Sequence, residues 1–287
     1  MIAKNGDAIL SETWTLLYKQ AEKLRKMQPW KKMYDSELFG VEDAESGQIV
    51  WFSVLGALRQ MFSLAVYVGD PGLDYFLYQS SRDWETNPQE QVVLKMNCMS
   101  VEFVPKSELS EFDIETQKAA SFTPSARARI AQFRSTHKGY APWYLEADEA
   151  ALLARVMQIA VNVIGILMKD KQIIEKAHED GTPPYYAKNK NGEWRLKWLD
   201  ISEPVEIAPG TPLDLCEFEA AEIKQSAKHS EDEWHIGFAM LGGYMGENDQ
   251  RPYPAGAFLC VDVATEFLFS PVVYQPGTNQ ETQAAQT

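Results

Sequence analysis

Residues 147–176 carry the pattern that most restricts what this chain can become. Leu152, Leu153, Val156, Met157, Ala160, Val163, Ile164 and Leu167 recur with the helical period. On one helix they form an apolar stripe too wide for a single contact, so the helix is packed on more than one side. Asp148 and Glu149 fall in its first turn and Lys169, Lys171 and Lys176 near its end, where each sign suits the helix dipole. Its longest apolar run, 156–168, is interrupted by Gln158 and Asn162 and falls short of the roughly 20 residues a bilayer takes. The start "MIAKNGDAILSE" lacks the apolar centre of a signal peptide. A core helix, no membrane partner and a cytoplasmic location are expected.

The segments around that helix define the fold class. Leu10, Trp14, Leu17, Tyr18, Ala21 and Leu24 predict an amphipathic helix over 8–27, stopped by Pro29. "QIVWFSVLG" (48–56) and "FSLAVYVG" (62–69) read as a strand pair, each ending at Gly. A helix entered at Asp70-Pro71 follows, then a strand over 92–104, a helix over 107–122 capped by Ser107, and a short strand over 129–135. "GTPP" (181–184) is the clearest break. Beyond it, Asn191-Gly192 signals a two-residue hairpin turn. Residues 216–226 alternate, and several strand candidates run to 274. The expectation is an α+β protein. N-terminal helices with a small sheet occupy 1–180, the long helix bridges, and a mainly antiparallel β unit occupies 184–276. The polar tail 277–287 is expected to be disordered.

Charge narrows the function. With 27 basic and 41 acidic residues the chain carries −14, which argues against a general polyanion binder. One stretch runs the other way. Between Glu115 and Glu146 there is no acid, while Lys118, Arg127, Arg129, Arg134 and Lys138 supply positive charge beside His137. It ends in Gly139-Tyr140-Ala141-Pro142-Trp143, and a similar Pro-Trp junction stands in "QPWKKMYDSEL" (28–38). Arg134, Tyr140 and Trp143 are the candidate ligand-binding residues, with the rings as stacking partners. The competing reading is a structural corner. Pro142 ends the strand, Trp143 anchors the bend, and Leu145 is placed as a hydrophobic staple before the long helix.

Other chemistries lack their motifs. His137, His178, His229 and His235 form no metal-ligand spacing, and no GxSxG, Walker A or GxGxxG occurs. Cys98, Cys216 and Cys260 are far apart with no CxxC, as in reduced structural thiols. The acidic clusters at 230–234 and 246–252 do not follow the order of a calcium loop. No catalytic residue, metal or cofactor is assigned.

"DSELFGVEDAESGQIVWFSVLGAL", "LAVYVGDPGLDYF" and "FRSTHKGYAPWYL" with the following helix resemble an uncharacterised family of bacterial proteins built of two adjoining domains of unknown function. The family's central signature is similar to Trp-Pro-x-Phe-Arg followed by Pro-Gly-Tyr-x-Pro-Trp. Phe133, Arg134, Gly139, Tyr140, Pro142 and Trp143 match it, whereas Ile130, Ala131 and Lys138 depart from it. The resemblance implies no activity, substrate or cofactor. The expected function is a non-enzymatic binding or adaptor protein, with another protein favoured over nucleic acid as partner. The alternative is an enzyme acting on nucleic acid or a phosphorylated ligand through residues 118–143.

Overall fold

A computed structural model describes residues 11–80, 95–125, 128–200, 225, 232–247 and 250–276. The tail 277–287, most of the alternating segment 216–226, and Arg127 lie outside the described residues. The protein is α+β, and its described residues form two compact units. The first takes residues up to 80 together with 95–137 and 142–200; the second takes 138–141 with the described residues beyond 206.

The first unit is built on a seven-stranded sheet. Its strands are β1 (Phe39–Glu42), β2 (Ile49–Leu55), β3 (Ser63–Val68), β4 (Cys98–Val104), β5 (Ile130–Thr136), β6 (Pro184–Lys188) and β7 (Trp194–Trp198). They lie in the order β5-β4-β3-β2-β1-β6-β7, and only the β1–β6 pair is parallel. The period-two pattern decides which side chains face which layer. Val50, Phe52 and Val54 of β2 and Leu64 and Val66 of β3 enter the larger core. Trp51, Ala65 and Tyr67 point to the opposite face, where helix α2 (Gly69–Ser80) covers them with Leu73, Tyr75 and Phe76.

The larger core is closed by helices α1 (Ser11–Met27), α3 (Glu111–Ala119) and α4 (Ala147–Leu167). Of the eight stripe residues expected on the long helix, all but Leu152 are buried. Helix α4 is long and apolar enough to cross a membrane, with mean hydropathy 1.9, yet ten of its residues are buried in this core. Helices α4 and α5 (Gln172–Asp180) replace the single helix expected over 147–176. The break has local causes. Lys169 and Asp170 both donate their N–H to the Ile166 carbonyl, and Asp170 Oδ1 then accepts from Gln172 N. Lys171 turns away to the Lys32 carbonyl and the Glu37 carboxylate.

Two other expectations shift in detail. Helix α3 is capped by Ser110, which exchanges hydrogen bonds with Asp113 in a capping box, while Ser107 sits in a 3-10 turn, Lys106–Glu108. The Asn191-Gly192 pair lies in a five-residue loop, 189–193, held by Asn189, whose side-chain oxygen accepts from Asn191 N and Glu193 N. That hairpin follows the expected boundary at 181–184, but β6 pairs with β1 and enlarges the small sheet expected at the N-terminus. The second unit contains an antiparallel sheet ordered β10-β9-β8, from β8 (Trp234–Met245), β9 (Tyr253–Asp262) and β10 (Val272–Val273).

A buried acid ties the sheet to α4. Asp43, 2% exposed at the end of β1, accepts from Arg155 Nε at 3.1 Å and Nη2 at 3.0 Å. Arg155, and then Ser46, hold its carboxyl down at about 2 against the cost of burial. A depressed folded-state pKa stabilises the fold above the unfolded value and loses that stability as pH falls through the folded one. The contribution is about 1–2 kcal/mol after screening at the half-exposed guanidinium, and it disappears between about pH 4 and pH 2. Urea unfolding of Asp43→Asn across this range is expected to show lower stability at pH 7 and a shallower acid decline than the unsubstituted protein.

Candidate functional site

Arg134 and Trp143 lie in the first unit and Tyr140 in the second. Arg134, on β5, donates from Nη1 and Nη2 to the two carboxylate oxygens of Asp113 at 2.8 and 2.7 Å. Nη1 also reaches the Phe133 carbonyl, and the guanidinium stacks 4.9 Å from the Tyr144 ring centre. Its hydrogen-bonding edge is thus turned to Asp113, the N3 member of the α3 capping box. Trp143 is half-buried and pairs its backbone with Ser135 in both directions at 2.8 Å, closing residues 136–142 into a loop. Within the second unit, Ala141 N donates to the Pro252 carbonyl and Tyr274 Oη to the Gly139 carbonyl. None of the three candidates lines either of two cavities among the described residues, one at the start of α4 and one beside the end of α1.

The smaller cavity, about 250 Å³, opens at the start of α4 between His137, Ser135, Cys98, Asp148 and Glu149. Glu149 Oε1 accepts from the Ser135 hydroxyl and contacts His137 Nε2 at 2.7 Å, while Oε2 accepts from Glu146 N. The order is wrong for nucleophilic catalysis, because the carboxylate stands between hydroxyl and imidazole instead of the imidazole standing between the other two. The ligand atoms of His137, Glu146 and Glu149 all lie within 4.8 Å of one another, close enough to share a cation. They do so at the positive end of a helix, and Glu149 is already the N3 member of the α4 capping box. A cap needs these acids there, whereas a cation would sit against the dipole.

The larger cavity is a groove of about 650 Å³ on the first unit, and its lining is of another kind. Three segments form it together with Phe103 of β4. At the end of α1, Gln28 adopts a left-handed backbone (φ 51°) and turns the chain into the 3-10 turn Pro29–Lys31. The β2–β3 connection folds back through Gly56 (φ 133°) and Arg59 (φ 61°), with Arg59 N donating to the Gly56 carbonyl. Ala128 and Arg129 lead into β5. Left-handed backbone at Gln and Arg costs roughly 1 kcal/mol or more each, and both strained residues face the groove.

The groove has an aromatic floor and a basic rim. Trp30 packs at 4.9 Å from Phe62 and 5.4 Å from Phe103, ring centre to ring centre. Arg129 lies over the Phe62 ring and is fixed by a 3.0 Å hydrogen bond to the Phe103 carbonyl. Arg25, Lys31, Lys32, Arg59 and Arg129 line the groove, and no carboxylate does so among the described residues. Arg25 is satisfied by Glu22 and suits the α1 C-terminus, so it has a structural explanation. Lys31, Lys32 and Arg59 are exposed and form no ion pair among the described residues. Among the described residues of the expected basic stretch, only Arg129 lines this groove. The others were marked in the sequence by cations clustered on either side of the Pro29-Trp30 junction and by Arg59 in the Gly-ended β2–β3 connection.

None of the curated proteins and none of the solved structures matches this chain. All the groove residues fall inside the one stretch that a family model does match. That stretch, residues 14–183, is more than half of the chain and fits the family described as Domain of unknown function (DUF7309), so the chain belongs to that family.

Proposed function

We propose that this is a non-enzymatic, cytoplasmic binding protein whose first unit takes a phosphorylated ligand in the groove between the α1 end and the β2–β3 connection. The observation that carries this reading is the groove's lining among the described residues: five cations, of which Arg25 is paired with Glu22, no acid, and an aromatic floor, on a chain of net charge −14. On so acidic a chain an acid-free concavity concentrates anions locally by focusing the field. Binding is favoured over catalysis because the titratable lining residues are Arg, Lys and Tyr. None of these is a ready general base near neutral pH, as a carboxylate or imidazole would be. The Phe133–Trp143 signature serves as a structural corner in this reading, with Arg134 committed to Asp113.

Calorimetry with inorganic tripolyphosphate at low salt tests the reading. Binding is expected, weakening as salt is raised because the rim is exposed. Lys31→Ala and Arg59→Gly are each expected to lower affinity roughly tenfold, the scale of one charge-assisted contact. Arg59→Gly also relieves the left-handed strain and is expected to raise the melting temperature, which separates lost binding from lost folding. Undetectable binding at low salt, or affinity indifferent to both substitutions, would overturn the proposal.

A further inference from the structure

We infer that the ligand of this groove is a free nucleotide and not a nucleic-acid strand; the inference rests on the anion-binding reading above. Size is the first reason. About 650 Å³ lies within the roughly 300–1,000 Å³ of small-molecule pockets, room for one base, sugar and phosphate group.

Charge outside the groove is the second reason. Removing its five cations leaves 22 basic against 41 acidic residues, a net −19 for the rest of the chain. A strand running on beyond the groove would carry its further phosphates over that remainder. Only charges within about one Debye length, roughly 8 Å, would offset them. A compact polyanion collects the whole attraction and little of the repulsion.

The third reason is a partner for a planar ring. Tyr34, 61% exposed, lines the groove, and neither an aromatic neighbour nor an ion occupies its ring among the described residues. Its backbone N–H is separately fixed by Glu37, so the ring is presented from an anchored turn. Gln28, exposed on the same groove, carries an amide that both donates and accepts and can read a base edge. Phosphates would meet Lys31, Lys32 and Arg59 while the base stacks on Tyr34.

Calorimetry without divalent cations on the full chain separates the possibilities, using ATP, tripolyphosphate and a 20-nucleotide RNA. ATP is expected to bind roughly tenfold more tightly than tripolyphosphate, the scale of one base–aromatic stack. Tyr34→Ala is expected to erase that difference and leave tripolyphosphate binding unchanged. Gln28→Gly, which keeps the left-handed turn, is expected to weaken ATP alone. Equal affinity for ATP and tripolyphosphate overturns the nucleotide assignment and leaves the anion reading standing. Tighter binding of the RNA than of ATP overturns it in favour of a strand. Binding of neither ATP nor tripolyphosphate overturns both readings together.

Discussion

Arg134→Ala is expected to destabilise the first unit by about 3–5 kcal/mol, the cost of breaking a buried ion pair from one side. Its partner makes the effect large. Asp113 has a side chain only 4% exposed, and Arg134 is 14% exposed. Burial alone would push the Asp113 carboxyl up, but the hydrogen bonds and charge of Arg134, with help from Ser110, outweigh burial and hold it below the ordinary carboxylate range. Without the guanidinium the acid keeps Ser110 and Gln132 but must sit charged in the core or take up a proton. Urea unfolding at pH 7 and pH 4 checks this. Without the guanidinium, burial raises the Asp113 carboxyl, so falling pH relieves the variant by protonation before it costs the unsubstituted protein its depressed carboxyl, and the difference between the two should shrink toward acid. Arg134→Lys keeps the charge but not the fork and should recover only part of the loss. A stable Arg134→Ala protein with altered ligand binding would instead return Arg134 to the role of a binding residue.

That pair shows where the sequence stops being informative. The α4 stripe was legible because every one of its positions repeats a local period, and seven of the eight predicted residues are buried. The end of the helix was not. Lys169-Asp170-Lys171 is compatible with a continuing helix, and the turn is settled by contacts between Lys171 and residues 32 and 37, more than 130 positions away. Strand β1 has four residues and its parallel partner β6 begins at Pro184, so neither short-range alternation nor hairpin spacing could pair them. Ser110 was legible in principle, since Ser110-x-x-Asp113 is a capping-box pattern that competes with the nearby Ser107. The groove was hidden for another reason. Its cations come from separate segments, and only the fold brings Lys31, Arg59 and Arg129 around one aromatic floor. Arg134 stood out because it lies in an acid-free run, yet its acid arrives from Asp113, 21 positions earlier on the preceding helix α3.

Gly139→Ala is expected to cost the second unit about 2–5 kcal/mol, and this tests what the Gly-Tyr-x-Pro-Trp segment is for. Two penalties add. Gly139 has φ +86°, a conformation that strains an L side chain by roughly 1–2 kcal/mol. A Cβ there would also run into the hydroxyl of Tyr274, which is 2% exposed and donates to the Gly139 carbonyl, so overpacking adds roughly 1–3 kcal/mol. Tyr274 cannot yield freely, because its ring packs edge-on to Phe238 and Tyr253 in the small core of the three-stranded sheet. Gly47→Ala supplies the control. Gly47 also has a positive φ, +72°, but nothing lies within 4 Å of its added Cβ, so only the roughly 1 kcal/mol of backbone strain applies. Amide hydrogen exchange is the suitable measurement, since it reads each sheet separately. Gly139→Ala should raise exchange in β8, β9 and β10, whereas Gly47→Ala should act around the β1–β2 connection. If Gly139→Ala leaves β8–β10 protected but abolishes binding of a ligand, the segment is a site after all. If protection falls as expected, the glycine is there because Tyr274 leaves no room for any larger residue.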